Sequence, residues 1–326
     1  MSRRISLNFI NDKAMTRIQL RAIVLISVFV LPVIVRSAGN NWMEAARSDS
    51  SLTELSIPGT HNSCALYEYY PGTAKCQDVS IRDQLNMGVR FLDIRLNYGG
   101  PKLLNAYHGY IDQNQTFDDL LTNTVQPFLK KNPSECVVMS IKEENSEQGY
   151  PQFSAAVNDY IQKYCPAMWY LGQEIPTVGQ SRGKIVLLRR FQGDSGIDAS
   201  EWPNNTTFSN RFLAVEDCYD NSSAETKWKA ITENFAAARK SNLNRFYITF
   251  TSGYQKVLGI PRIPHIANII NPLLTQYLST NTSGRYGIVP MDFVDAIKCQ
   301  LVYQSVVSGS PPDIISTWQL GGESKR

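Results

Sequence analysis

Eight short apolar segments recur between residues 51 and 291, and most of them run into a charged or polar side chain. They fall at residues 51–57, 89–96, 103–107, 136–141, 184–188, 212–215, 245–250 and 286–291. Each has the length of a strand, and stretches with helical apolar spacing lie between several of them, at 79–87, 117–131, 150–165, 226–240 and 266–278. Alternation of this kind over roughly 250 residues predicts the α/β class and a single (β/α)8 barrel of the TIM type. The links between the first three strands are too short for full helices, so the barrel is expected to be distorted. A doubly wound open sheet is the competing arrangement, and no glycine-rich dinucleotide fingerprint supports it.

With 326 residues and 43% apolar content the chain can bury a large core, and no shift in composition marks a second domain. Residues 38–326 are therefore read as one barrel, expected to be monomeric. A net charge of +3, from 32 basic and 29 acidic residues without a Lys/Arg run, argues against a nucleic-acid binder and for a small molecule or a lipid surface as partner. Residues 22–35 form an apolar run preceded by Arg17 and Arg21 and followed by Ser37-Ala38. That is the layout of a signal peptide over residues 1–37, with Met15 an alternative start. The run falls short of the ~20 residues of a bilayer span, which favours cleavage and secretion over a retained signal anchor. The tail from 308 to 326 lacks the apolar segment of a glycolipid-anchor signal, so the mature protein is expected to be soluble.

Six cysteines, Cys64, Cys76, Cys136, Cys165, Cys218 and Cys299, fit an oxidising compartment. Cys64 with Cys76 is the expected disulfide among the roughly 15 connectivities open to six cysteines. None forms a C-x-x-C motif, which argues against zinc. Asn-x-Ser/Thr tripeptides at Asn114, Asn204, Asn205, Asn221 and Asn281 predict a glycoprotein with one or two of these sites occupied.

In a TIM-type barrel the site lies at the carboxyl ends of the strands. The first strand is expected to stop at Pro58-Gly59 and present His61. The second carries Asp93 and Arg95, two apart and so on one face, and the third ends at His108. Lys142, Arg190, Asp217 and Asp292 follow the fourth, fifth, sixth and eighth. Any one of them is ordinary at a strand end; their joint placement is not. Two histidines, with no cysteine or third histidine to complete a metal site, read as a general base and a general acid at one centre, and Arg95 adds a fixed charge. Phosphoryl transfer uses that trio: the base activates a hydroxyl, the acid protonates the leaving oxygen, and the guanidinium offsets charge on the phosphoryl oxygens. His265, at a helix start, is given no catalytic role.

The segments Ser56-Ile57-Pro58-Gly59-Thr60-His61, Gly88-Val89-Arg90-Phe91-Leu92-Asp93-Ile94-Arg95, Tyr107-His108-Gly109 and Ser140-Ile141-Lys142 resemble the catalytic X region of the bacterial-type, metal-independent phosphatidylinositol-specific phospholipases C. The resemblance continues through residues 183–190, 215–219 and 287–292 and covers about residues 50–300. It implies a distorted TIM barrel that cleaves the bond between phosphate and diacylglycerol in phosphatidylinositol or a glycosylphosphatidylinositol. The implied attack comes from the inositol 2-hydroxyl and gives a cyclic inositol phosphate. By that resemblance His61 is the base, His108 the acid, Arg95 the stabiliser of phosphoryl charge and Asp292 the carboxylate that orients the base, with Asp93 supporting Arg95 and His108. Lys142, Arg190 and Asp217 match residues that bind inositol hydroxyls, and Tyr219 matches a ring packed against the sugar. Asn62 joins this substrate-binding set, standing where the bacterial-type enzymes have Asp and the calcium-dependent ones have Asn as a ligand.

In those calcium-dependent enzymes acidic residues take the places of Arg95 and Lys142. Two cations there would repel Ca²⁺, so neither metal nor cofactor is expected. Tyr67, Tyr69 and Tyr70 after the first strand, and Tyr254 with residues 257–264 after the seventh, are rim loops suited to transient contact with a membrane surface. Two alternatives stay open. A metal-dependent glycerophosphodiesterase would want a Glu-x-Asp pair in place of Asp93-Ile94-Arg95, and a non-catalytic inositol-lipid binding barrel would have no use for two histidines, Arg95 and Asp292 together.

Overall fold

In the computed structural model, which describes residues 38–307 apart from 101–102, 147–149, 221–222 and 242–244, the apolar segments become strands of one curled sheet. The expected signal peptide, the tail from 308 onward and the Asn221 tripeptide lie outside the described residues. In chain order the strands are β1 (Ile57–Thr60), β2 (Phe91–Tyr98), β3 (Leu104–His108), β4 (Ile111–Thr116), β5 (Val137–Glu143), β6 (Trp169–Tyr170) and β7 (Ile185–Arg190). They continue as β8 (Ile197–Asp198), β9 (Thr206–Ser209), β10 (Leu213–Asp217), β11 (Phe246–Thr249), β12 (Gln255–Val257), β13 (Ile260–Arg262) and β14 (Ile288–Met291), of which β12 and β13 pair as a separate hairpin. Seven of these lie side by side and parallel, in the order β7-β5-β2-β1-β14-β11-β10.

The inner strands are buried along their whole apolar length, as in Val137-Val138-Met139 and Ile185-Val186-Leu187-Leu188, because helices cover the sheet's outer face. Phe153, Phe235, Ile266 and Leu274 from three of those helices enter the same core. Local signals set the helix ends. Ser80 accepts from the Asp83 amide to start Ile81–Met87, and Gly88, at φ 114°, ends that helix and turns the chain into β2. Among the described residues no helix is long and apolar enough to cross a membrane.

Four features refine or correct the expectations. First, the expected TIM-type barrel is present in distorted form: among the described residues no ladder joins β7 or β8 to β9 or β10, so it is open on that side. The short β9 pairs antiparallel with β10 and occupies the edge that closure would have used.

Second, residues 51–56 are not a strand. Ser51 and Glu54 form a capping box on a single 3₁₀ turn, and β1 begins at Ile57, so Pro58 and Gly59 sit inside a central strand rather than in a turn. Proline is tolerated because the amides of Ile57 and His61 donate to Gly287 and Met291 on the β14 side. Position 58 therefore faces β2, which starts only at Phe91, opposite Gly59. Gly59 is fixed by packing, since a Cβ there would come 2.9 Å from the Phe91 ring.

Third, β3 is not a barrel strand. It runs antiparallel to β2, Ala106 opposite Leu96, and pairs onward with β4, because the connection from β2 is far too short for the helical crossover a parallel neighbour needs. Fourth, all six cysteines are free thiols. Cys64 packs in the main core, whereas Cys76 packs with Ala65 and Ile263 in a separate cluster, so the expected pair faces two different environments.

Candidate active site

His61 follows β1 and Asp292 follows β14, and the parallel register that sets Thr60 opposite Met291 brings both side chains to one end of the sheet. The Nδ1 of His61 lies 2.8 Å from Asp292 Oδ1. With that carboxylate as acceptor the ring donates its Nδ1 proton and keeps the Nε2 lone pair. Gln77 ties the two strand ends together, its side-chain amide donating to the carbonyls of His61 (2.9 Å) and Met291 (2.8 Å). Phe250 meets the imidazole edge-on at 6.0 Å between centroids.

Asp93 and Arg95 share a face of β2, as their spacing demands. Arg95 donates from Nε (3.1 Å) and Nη2 (3.0 Å) to Asp93 Oδ2, and the Asn62 amide donates to the same oxygen at 3.0 Å. Burial disfavours both charges, but Arg95 and Arg190 hold the Asp93 carboxyl well below the usual carboxylate range, and Asp93 with Glu144 raises Arg95. Asn62 is buried at φ 36°, and neither polar atom of its side chain has a hydrogen-bond partner among the described residues. Its backbone, rather than its amide group, engages Asp93.

His108 reaches the site by a route that a row of parallel strands would not provide. The long β2 climbs past the rim, and β3 returns along it, delivering His108 back at the mouth. Its Nδ1 lies 2.6 Å from the Ala74 carbonyl and 3.6 Å from Cys76 Sγ, so a loop carbonyl rather than Asp93 orients the ring. That loop folds around the Glu68 carboxylate, which accepts from the amides of Gly72, Thr73, Ala74 and Lys75. Burial, then the charge of Arg95 and the neighbouring His61, lower His108 to about 4. The two imidazoles stand 6.2 Å apart between centroids, nearly perpendicular.

Lys142, near the end of β5, donates to Asn204 Oδ1 at 2.9 Å and lies 3.5 Å from Glu144 Oε2. Burial and then Arg95 lower it to about 8. Arg190 and Asp217 end β7 and β10 and face each other across the open side of the barrel at 3.9 Å. The Arg190 guanidinium also lies 3.8 Å from Asp93 Oδ1 and 3.7 Å over the Trp202 ring. Burial raises Asp217.

A cavity of about 260 Å³ opens above these groups, with His61, Arg95, His108, Lys142, Glu144 and Tyr219 in its wall. Asp93, Asp217, Asp292 and Asn62 form a buried layer outside that wall. Arg190 lines a neighbouring cleft of about 320 Å³ that shares Lys142 and Asn204 with the cavity. All the expected residues thus converge on one end of the sheet. The sequence gives Glu144, Gln77, Trp202 and Phe250 no place in the site, and it marks Asn204 only as a glycosylation candidate. Glu144 was accessible to such reasoning, since it stands two residues after Lys142 in extended chain and shares its face; the others carry no local signal.

Residues 49–191 match the family described as phosphatidylinositol-specific phospholipase C, X domain. Over 265 residues the chain is 30% identical to 1-phosphatidylinositol phosphodiesterase of Listeria monocytogenes, covering 77% of this chain and 80% of that one. The chain belongs to the phosphatidylinositol-specific phospholipase C X-domain family. The fold is similar to the solved structure of phosphatidylinositol-specific phospholipase C from Listeria monocytogenes, with a TM-score of 0.70 at 27% identity over 82% of this chain and 98% of that one. A pentafluoro-Phe form of the Staphylococcus aureus enzyme gives a TM-score of 0.73 at 26% identity, over 82% and 97%.

Proposed function

We propose that the protein is a secreted phosphatidylinositol-specific phospholipase C that cleaves phosphatidylinositol or a glycosylphosphatidylinositol at the phosphate–diacylglycerol bond. One observation carries the reading: a carboxylate-held histidine and a second histidine face each other across 6.2 Å, with Arg95 in the same cavity wall. A binding site has no need of an acid–base pair. The substrate class comes from the relatives, named 1-phosphatidylinositol phosphodiesterase.

In this mechanism His61 Nε2 accepts the proton of the inositol 2-hydroxyl while Asp292 stabilises the imidazolium that forms. The oxygen attacks phosphorus, Arg95 offsets the charge on the phosphoryl oxygens, and His108 protonates the departing diacylglycerol oxygen. In the free enzyme His108 is neutral at pH 7, with its Nδ1 proton donated to Ala74. A phosphodiester anion beside Arg95 cancels the positive field that depresses His108 and so raises it toward the form an acid needs. Lys142, Arg190 and Asp217 bind inositol hydroxyls, Asn62 braces Asp93 beneath them, and Tyr219 packs on the ring. Metal independence follows from the two cations, Arg95 and Lys142, facing the same cavity.

The enzyme works at a lipid surface through two loops that meet on the rim. Ile263 donates to the Gly72 carbonyl at 2.9 Å and Arg262 donates to Pro71, which joins the loop bearing exposed Tyr67, Tyr69 and Tyr70 to the hairpin bearing exposed Val257, Leu258 and Ile260. The apolar run at 22–35 supports secretion with residues 1–37 removed. The test is to incubate purified protein with phosphatidylinositol vesicles in a chelator. Diacylglycerol and cyclic inositol phosphate are expected, with His61→Ala or His108→Ala slower by at least ~10²-fold. Turnover only after Ca²⁺ is added overturns the metal-free mechanism, and vesicle binding without turnover under either condition establishes the binding barrel instead.

A further inference from the structure

Cys76 stands 15 positions after His61 in the chain, and the fold brings its sulfur back to the base. The ligand atoms that His61, Cys76 and Asp292 can offer all lie within 4.8 Å of one another, and all three residues are buried. A second observation points the same way. Asp292 spends Oδ1 on His61, while Oδ2 is buried without a hydrogen-bond partner among the described residues, in a residue only 1% exposed. An unpaired buried carboxylate oxygen is an expensive feature, and its residue lies against a thiol and an imidazole.

From this cluster we infer an inhibitory site for a thiophilic divalent cation of the zinc class, held by His61, Cys76 and Asp292. The donor set fits the ion. Zinc takes imidazole nitrogen, thiolate sulfur and carboxylate oxygen at about 2.0–2.3 Å in a tetrahedral shell, with the fourth place left to water. A dication with one thiolate and one carboxylate is neutral overall, so the occupied site buries no net charge. Calcium and magnesium, which want six or more oxygen ligands, do not suit it.

Binding is written Cys76–SH plus M²⁺ giving Cys76–S–M⁺ plus a proton released to solvent. If the cation takes Nδ1 of His61, the proton on that nitrogen moves through solvent to Nε2. If it takes Nε2, the lone pair is used directly. Either way the base loses the electron pair that would accept the inositol hydroxyl proton. The cation therefore blocks catalysis by occupying the base. The sequence concealed the site because its ligands come from β1, the following loop and β14, with no short ligand spacing.

The consequence for turnover rests on the proposed function; occupancy of the site does not. The metal-free enzyme is titrated with ZnCl₂ while vesicle cleavage is followed, and separately with CoCl₂ while the sulfur-to-cobalt charge-transfer absorption is recorded. One equivalent of zinc is expected to abolish turnover, and one equivalent of cobalt to give the thiolate band. Cys76→Ser and Cys76→Ala are expected to lose the band and to raise the half-inhibiting zinc concentration by at least ~10-fold, each against its own metal-free rate, since even outer partners of a metal site are worth that much. Cys165→Ser should retain both effects. Inhibition unchanged in the Cys76 variants, or a wild-type enzyme without the band, overturns the site, and a Cys76-dependent band with undiminished turnover overturns its inhibitory role. A Cys76-dependent band in a protein that never cleaves lipid leaves the site standing and removes the proposed function.

Discussion

The Nδ1 of His108 lies 2.6 Å from the carbonyl oxygen of Ala74, and that carbonyl belongs to a loop whose next-door amides converge on Glu68. The acid is thus oriented by a carboxylate it never touches. The four amides outweigh burial and hold Glu68 below the usual carboxylate range. Glu68→Ala removes the acceptor these amides share and frees Ala74 to drift. We expect kcat to fall about tenfold with KM little changed, because general acid catalysis contributes ~10²–10⁴ and depends on placement. An unaltered kcat in Glu68→Ala would show that His108 keeps its orientation without the loop.

His108 also sets an acid limit on stability. Its pKa in the fold is about 4, against an ordinary value near 6.5, so between these values the unfolded chain binds a proton that the native protein refuses. Stability from this group is full above about pH 6.5 and is lost as pH falls toward 4. The thermal midpoint should drop through that window in wild type and drop less in His108→Asn. The chain has three histidines, so the His108 ring proton can be followed by NMR, and an inositol phosphate should move its titration upward. A free-enzyme titration near 6.5 would contradict the desolvated, Arg95-facing environment.

Much of the fold was legible because apolar periodicity reports which segments are buried. The helical run expected at 117–131 is present as contiguous turns from Phe117 to Lys131, and Lys142, Arg190, Asp217 and Asp292 do cap parallel strands. Period-2 spacing also placed Asp93 and Arg95 on one face. Periodicity is silent on strand direction, however, and β3 was misplaced for that reason. Its histidine lands in the site only because an antiparallel hairpin returns. Pro58 misled for a related reason, since whether a missing amide matters depends on which neighbour it would face. The environment of Cys76, like that of Phe250 and Trp202, arises from contacts distant in sequence and leaves no local trace.

Five residues before Arg95, a second arginine of the same segment does a different job. Arg90 and Glu135 are paired at 2.9 Å with both side chains fully buried, and the remaining Arg90 donors reach the carbonyls of Gly39, Asn40, Leu85 and Val89. Glu135→Leu strands a desolvated guanidinium and should destabilise the protein by ~3–5 kcal/mol in urea unfolding, while the folded fraction keeps its kcat. Adding Arg90→Met should recover most of that loss. If the double variant is no more stable than Glu135→Leu, the destabilisation lies in lost packing and not in an unpaired charge.

The rim loops make the last prediction. Leu258, at the tip of the β12–β13 hairpin, is 98% exposed, beside half-exposed Val257 and Ile260, and the Tyr67–Tyr70 loop is bonded to the base of the same hairpin. Apolar side chains held in water at the mouth of a lipid-cleaving site gain free energy when a bilayer covers them, at ~1.5–3 kcal/mol for a fully buried Leu or Val. Leu258→Ser with Val257→Ser should therefore weaken binding to phosphatidylinositol vesicles by at least about tenfold, in line with that energy. None of these residues touches His61, Arg95 or His108, so hydrolysis of water-soluble cyclic inositol phosphate should proceed at the wild-type rate. Sedimentation with vesicles and a soluble-substrate assay on the same preparations separate the two effects. Equal loss on both substrates would place the hairpin's role in shaping the cavity, through Ile263 and Tyr254 in its wall, rather than in meeting the membrane.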